Sequence, residues 1–188
     1  MPEIKNEREI IEGCLKNNRR AQKALYQAYC SKFLGICLRY AKDKQEAEDV
    51  LQEGFVKIFN RIGQFSGSGS FEGWLKRIII NTAITNYRQN LKRYNQVPVD
   101  FLPEDETEVN STDFEYTYDE LLKVVQSLPA GYRMVFNLFA IEGYQHKEIA
   151  EMLDVDVATS KSQYSRARKL LQKKLVELKT RNLIAETR

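Results

Sequence analysis

Thr159, Lys161, Ser162, Ser165, Arg166 and Lys169 set short hydroxyls among long cations within eleven residues. Such groups contact phosphate oxygens and base edges, so this stretch offers the chemistry of a nucleic-acid reader. From Val157 to Arg188 nine Lys or Arg stand against two Glu. A charge run alone is more often a solvated helix face, and what changes that balance here is the stretch before it. Ile149 and Leu153, with the small Ala150 between them, form the inner face of a short supporting helix. Asp154 falls where the turn needs a left-handed backbone, which Asp tolerates better than most residues. Asp156 can cap a second helix starting near Val157. Ser160, Tyr164, Ala167, Leu171, Leu175 and Leu178 then make one inward face at spacings of three and four. This is the pattern of a helix-turn-helix.

Two other groups could bind a partner. Between Lys76 and Arg93 there are five cations and no acid, mixed with Asn81, Thr82, Thr85, Asn86 and Tyr87. Amides, hydroxyls, an aromatic and cations together suit single-stranded nucleic acid, which is held by phosphate contacts, stacking and exposed base edges. Glu48, Asp49, Gln52 and Glu53 point outward near the start of a strongly apolar helix. They read equally as complements of the helix dipole or as a protein-docking face. Trp74, among Leu and Ile, reads as core.

Catalytic and metal chemistry have no visible carrier. His146 is the single histidine among 188 residues, and Cys14, Cys30 and Cys37 lie among apolar neighbours without a Cys-x-x-Cys pair, so buried free thiols are expected. No Walker loop, dinucleotide fingerprint or nucleophile elbow occurs. The expectation is a protein that is not an enzyme and has no cofactor and no metal. Without an apolar run of about 18 residues or a signal-peptide core, a cytoplasmic protein with no membrane insertion is expected.

The elements that must position these groups are helices. Hydrophobic residues at 43%, charged residues at 29%, four Pro and nine Gly describe a folded chain that favours helices. Periodicity predicts helices over Glu7–Lys16, Ala21–Tyr40, Lys44–Ile62, Phe71–Arg93, Tyr118 to before Pro129, and Tyr132–Glu142. The net charge of +3 hides its distribution: residues 98–120 carry nine acids and no cation. That composition predicts an extended linker. The fold class expected is all-α, with residues 1–95 as one helical domain, 96–117 as an acidic flexible linker, and 118–188 as a second domain holding the helix-turn-helix.

In this order the segments resemble the extracytoplasmic-function sigma factors of bacterial RNA polymerase. EAEDVLQEGFVKIF is similar to that family's polymerase-docking helix, and FEGWLKRIIINTAITNYR to its promoter-melting segment. SLPAGYRMVFNLFAIEGYQHKEIAEMLDVDVATSKSQYSRARKLL is similar to its promoter-reading domain. The resemblance implies core RNA polymerase and promoter DNA as partners, the latter as minus-35 duplex and unstacked minus-10 strand, with an anti-sigma protein as a further partner. It implies docking through Asp49, Gln52 and Glu53. For the minus-10 element it implies Phe65, Ser66, Ser70, Asn81 and Arg88, with the loop Phe65–Ser70 and Asn81 capturing a flipped base. The minus-35 contacts would come from Thr159, Lys161, Ser162, Ser165, Arg166 and Lys169. Ser160 departs from the family, which usually carries a larger apolar residue there. Outside the resemblance, a dimeric duplex-binding regulator and a helical protein adaptor remain readings of the same residues.

Overall fold

The computed structural model describes residues 7–93 and 116–186, all helix and connecting turns, with no strand among them. The helices are α1 (Glu7–Leu15), α2 (Arg19–Tyr40), α3 (Lys44–Arg61), α4 (Phe71–Arg93), α5 (Tyr118–Gln126), α6 (Ala130–Phe136), α7 (His146–Leu153) and α8 (Val157–Glu186). The chain forms two compact units, Met1–Asn86 and Tyr87–Arg188, divided within α4. All but the last two residues of the expected acidic linker, 96–117, lie outside the described residues.

In the first unit, polar caps fix where helices begin. Asn18 Oδ1 accepts the amides of Arg20 (2.9 Å) and Ala21 (3.4 Å), so α2 starts earlier than periodicity alone places it. Asp43 accepts the Glu46 amide at 2.8 Å, and Glu46 reaches back to the Lys42 amide at 2.7 Å. The two bonds fix the first turn of α3 from both sides. Inside, Leu25, Phe33, Cys37, Ile58, Leu75 and Ile79 are almost wholly buried. Cys14 is buried too, and all three cysteines are free. Burial pushes the Cys37 thiol up to about 12, so it stays protonated and behaves as a small apolar side chain. Trp74, expected in the core, is only half-buried; its ring stacks on Phe71 with centroids 6.0 Å apart, at the edge of the core.

The second unit is built on α8. Leu128, Tyr132, Ala167 and Leu171 form a buried cluster, with Val124, Val125, Phe136 and Leu170 packed around it. Arg133 is buried, and its Nη1 donates to the carbonyls of Gln126 (2.7 Å) and Leu128 (3.1 Å). Those carbonyls end α5, so the cation satisfies acceptors that the helix cannot and sits at the negative end of its dipole. Thr117 and Glu120 close a capping box at the start of α5. Tyr116 Oη donates to Leu175 O at 3.2 Å and Asn182 Nδ2 to Glu120 Oε1 at 2.9 Å, both tying this start to α8.

The single helix expected over Tyr132–Glu142 is corrected in two respects. It begins at Ala130, directly after Pro129, and after Phe136 it widens into a π turn over Asn137–Ile141, where Glu142 N donates to Asn137 O at 3.0 Å. The buried Asn137 side chain donates to Arg133 O at 2.8 Å. A side chain inserted into the backbone ladder is a known cause of such widening.

Helices α1 and α2 approach at Gly13, where an added Cβ would stand 2.5 Å from Ala21 Cβ. Alanine ordinarily stabilises a helix interior by about 1 kcal/mol over glycine. Here Gly13→Ala is expected to lower stability by about 1–3 kcal/mol through overpacking. Thermal unfolding of the single variant and of Gly13→Ala with Ala21→Gly checks this, the second change recovering part of the loss.

Candidate nucleic-acid interface

Helix α7 ends on Asp154, whose backbone is left-handed (φ 59, ψ 52) and whose amide donates to Ala150 O. The Val155 amide donates to the same carbonyl at 3.0 Å. These bonds satisfy the last turn of α7 and redirect the chain into α8. At 100° per residue, the six expected minus-35 residues occupy an arc of about 160° on α8, centred opposite Ser160, Ala167 and Leu171. Those three are buried. On the arc Lys161, Ser162, Ser165 and Lys169 are exposed, while Thr159 and Arg166 are half-buried. Ser162 Oγ donates to Thr159 O at 3.0 Å, which leaves its lone pairs outward.

Ser160 is 0% exposed, and its hydroxyl lies 3.0 Å from His146 Nδ1. The imidazole stacks on Phe139 at 4.3 Å and 12°, and Tyr164 closes on Phe139 at 4.5 Å. The space left by a small residue is thus filled from α7 by an aromatic ring with a hydrogen-bonding edge. In the sequence a lone histidine suggests a ligand or a nucleophile, and the signal for its packing role is the undersized Ser160, 14 positions on. Desolvation, and then the nearby Lys161 charge, hold His146 below its ordinary value.

The expected minus-10 residues lie on the first unit's loop and on α4. Phe65 is half-buried, with its ring 5.0 Å from Phe71 and 5.7 Å from Trp74. Gly67 and Gly69 have φ of 76 and 80, and Ser66 and Ser68 share a hydrogen bond of 2.7 Å between them. Ser70 is exposed, but its Oγ accepts the Gly73 amide at 3.1 Å, so its first role is to cap α4. Asn81 is exposed rather than buried, and Arg88 is half-buried. Helical periodicity puts Trp74, Asn81, Thr85 and Arg88 on one stripe about 21 Å long. Phe65 joins this stripe through Trp74. Arg88 stands about 25 Å along the axis from Phe71, too far to share one base with the loop.

On α3, Asp49, Gln52 and Glu53 are exposed. Glu53 is already paired with Lys57 Nζ at 2.7 Å, an i,i+4 bridge that takes up part of its charge. Val56, 57% exposed, continues the same face. It was visible in the sequence as the one branched aliphatic left off the inward face.

Two family models match the chain. Residues 25–93 match the family model of Sigma-70 region 2, and residues 118–171 match that of Sigma-70, region 4. The RNA polymerase sigma-H factor of Pseudomonas aeruginosa is 31% identical over 183 residues, covering 92% of this chain and 95% of that protein. This chain is an extracytoplasmic-function sigma factor. The ECF RNA polymerase sigma-E factor of Haemophilus influenzae is 30% identical over 193 residues, covering 95% of the sigma factor described here and 100% of the relative. Among solved structures, the sigma factor RpoE from Bartonella quintana, in complex with the anti-sigma factor NepR, has the same fold. Its TM-score is 0.50 at 19% identity, over 81% of this chain and 95% of that one. As a family member the sigma factor serves RNA polymerase in promoter recognition and transcription initiation.

The single histidine makes one consequence measurable. A base held below its ordinary value binds fewer protons folded than unfolded, so its contribution to stability is present above about 6.5 and is lost as pH falls from there through the folded value. The lone imidazole resonance is expected to titrate below 6.5, the ordinary histidine value. The unfolding midpoint should drop over the same range, and His146→Phe should flatten that part of the profile. NMR titration with unfolding, carried from above about pH 6.5 downward until the imidazole resonance stops shifting, checks both.

Proposed function

We propose that this sigma factor reads duplex minus-35 DNA with Thr159, Lys161, Ser162, Ser165, Arg166 and Lys169, within a C-terminal domain of residues 118–188. The observation that carries the reading is the placement of this arc opposite the buried stripe of α8, which leaves it open to a major groove. The N-terminal domain, residues 1–95, uses the Phe65–Trp74–Asn81–Thr85–Arg88 stripe for the unstacked minus-10 strand. The loop and Asn81 take the captured base, and Arg88 contacts a phosphate further along. Asp49, Gln52, Glu53 and Val56 dock on core polymerase, the valine giving an apolar centre to a polar rim. Residues 96–117 join the domains as an acidic tether. An anti-sigma protein is a further partner, a reading supported by the complex from Bartonella quintana. The protein works by binding rather than catalysis, in the cytoplasm, and needs no cofactor.

Runoff transcription with core polymerase tests the reading as a whole, since a plain duplex-binding regulator or an adaptor would not make core start at a promoter. Arg166→Ala should weaken minus-35 duplex binding by roughly 1–3 kcal/mol and relax preference at one position. Asn81→Ala should reduce promoter melting, followed by permanganate footprinting, more than closed-complex binding, because an extruded base costs a few kcal/mol that the pocket must return. An Arg166→Ala protein unchanged in affinity and preference, or an Asn81→Ala protein with normal melting, removes that residue from the interface.

A further inference from the structure

The turn between α1 and α2 carries Lys16, Arg19, Arg20 and Lys23, all exposed. They lie N-terminal to the residues that match Sigma-70 region 2. The turn is well defined: Asn17 is left-handed (φ 53), and Asn18 N donates to Gly13 O at 2.9 Å. The four cations therefore project from a fixed frame. Arg19 and Arg20 occupy the first turn of α2, which holds no acid. That is the positive end of the helix dipole, where cations are unfavourable. Arg19 and Lys23 repel as an i,i+4 pair of like charge. Some other cations of this unit have acid partners, such as exposed Arg8 with Glu12, exposed Lys32 with Glu72 and half-buried Lys57 with Glu53, while exposed Arg61 and Arg77 form no ion pair among the described residues. None of the four forms an ion pair among the described residues. The cluster costs stability in the free protein and gains nothing visible within it.

Its neighbourhood indicates what it meets. Leu15 Cδ2, one residue before Lys16, lies 3.5 Å from where a Cβ on Gly63 would stand. Gly63 belongs to the 3-10 turn Ile62–Gln64, and Phe65 follows directly. The end of α1, from which the cationic turn leaves, thus packs beside the 3-10 turn that leads into the loop at Phe65, within the same compact unit. We propose that Lys16, Arg19, Arg20 and Lys23 hold the phosphate backbone of the single-stranded promoter segment that adjoins the captured base. The inference rests on the minus-10 reading of the Phe65–Ser70 loop. Cations that contact phosphates give affinity and salt dependence without base preference, so these four would prolong the strand's path past the reading site without adding to the sequence read.

The test uses holoenzyme reconstituted from core polymerase and the full chain, with three fluorescent single-stranded oligonucleotides. One spans the minus-10 element alone, and the others extend it by about six nucleotides on the 5′ or the 3′ side, a length typical of single-strand grooves. Wild type should bind one extended oligonucleotide more tightly than the short one. Arg19→Gln with Arg20→Gln should lose most of that gain, keep short-oligonucleotide affinity and core assembly, and lower the salt slope by about 1.4 for two phosphates. Arg19→Lys with Arg20→Lys should keep the gain. An undiminished gain in the glutamine variant overturns the proposal, as does an equal loss on all three oligonucleotides. Weakened core assembly also overturns it, since the patch would then meet protein. Failure of wild type to prefer the minus-10 sequence in the short oligonucleotide refutes the base-capture reading instead, and the extension comparison still decides the role of the patch.

Discussion

The geometry of the helix-turn-helix depends on one backbone conformation, the left-handed Asp154 that ends α7. It directs Val155 back onto Ala150 O and sets the direction in which α8 leaves. Everything presented by α8 follows from that exit, because a helix is rigid over its length and its side-chain directions are fixed by the first turn. An Asp in this conformation carries some strain that a glycine would not. The part-buried Ser160–His146 contact lies on the same face of α8 as the buried Ala167 and Leu171.

Charge in this molecule is arranged at the expense of helix stability in some places and in its favour in others. Arg133 at the end of α5 and the Lys57–Glu53 bridge are favourable placements. Arg19 and Arg20 at the start of α2 are not. Exposed pairs are each worth little, typically below about 1 kcal/mol, so a cationic surface left without partners is tolerated in a unit whose core is well filled. On α3 only Glu46 stands in the first turn, where the dipole acts; Asp49 and Glu53 stand further along, a distinction that depends on where Asp43 caps the helix. Val56 separates docking from stabilisation better, since an exposed branched aliphatic on a polar face has no dipole to complement.

The all-helical character of the chain, the left-handed turn at Asp154, the inward stripe of α8 and the outward side of its cationic arc were legible in the sequence. Each depends on local periodicity or on a residue's own backbone preference, which a one-dimensional pattern records in full. Caps were legible where the residue stood at the start of an obvious apolar repeat, as Ser70 does, and less so at Asn18, where cations begin the helix. Tertiary structure decided the rest. It placed Trp74 at the edge of the core, because its stripe on α4 continues into exposed Asn81 and Thr85 instead of Leu75 and Ile79. It widened the helix after Phe136, where the buried Asn137 side chain donates to the carbonyl of Arg133 in the preceding turn. It also gave His146 a structural partner 14 positions away, and brought Leu15 at the end of α1 against Gly63 of the 3-10 turn that leads into the loop at Phe65. Periodicity fixes which face of a helix turns inward, but which distant side chain fills the space opposite depends on how the helices cross, and that is settled only when the chain packs.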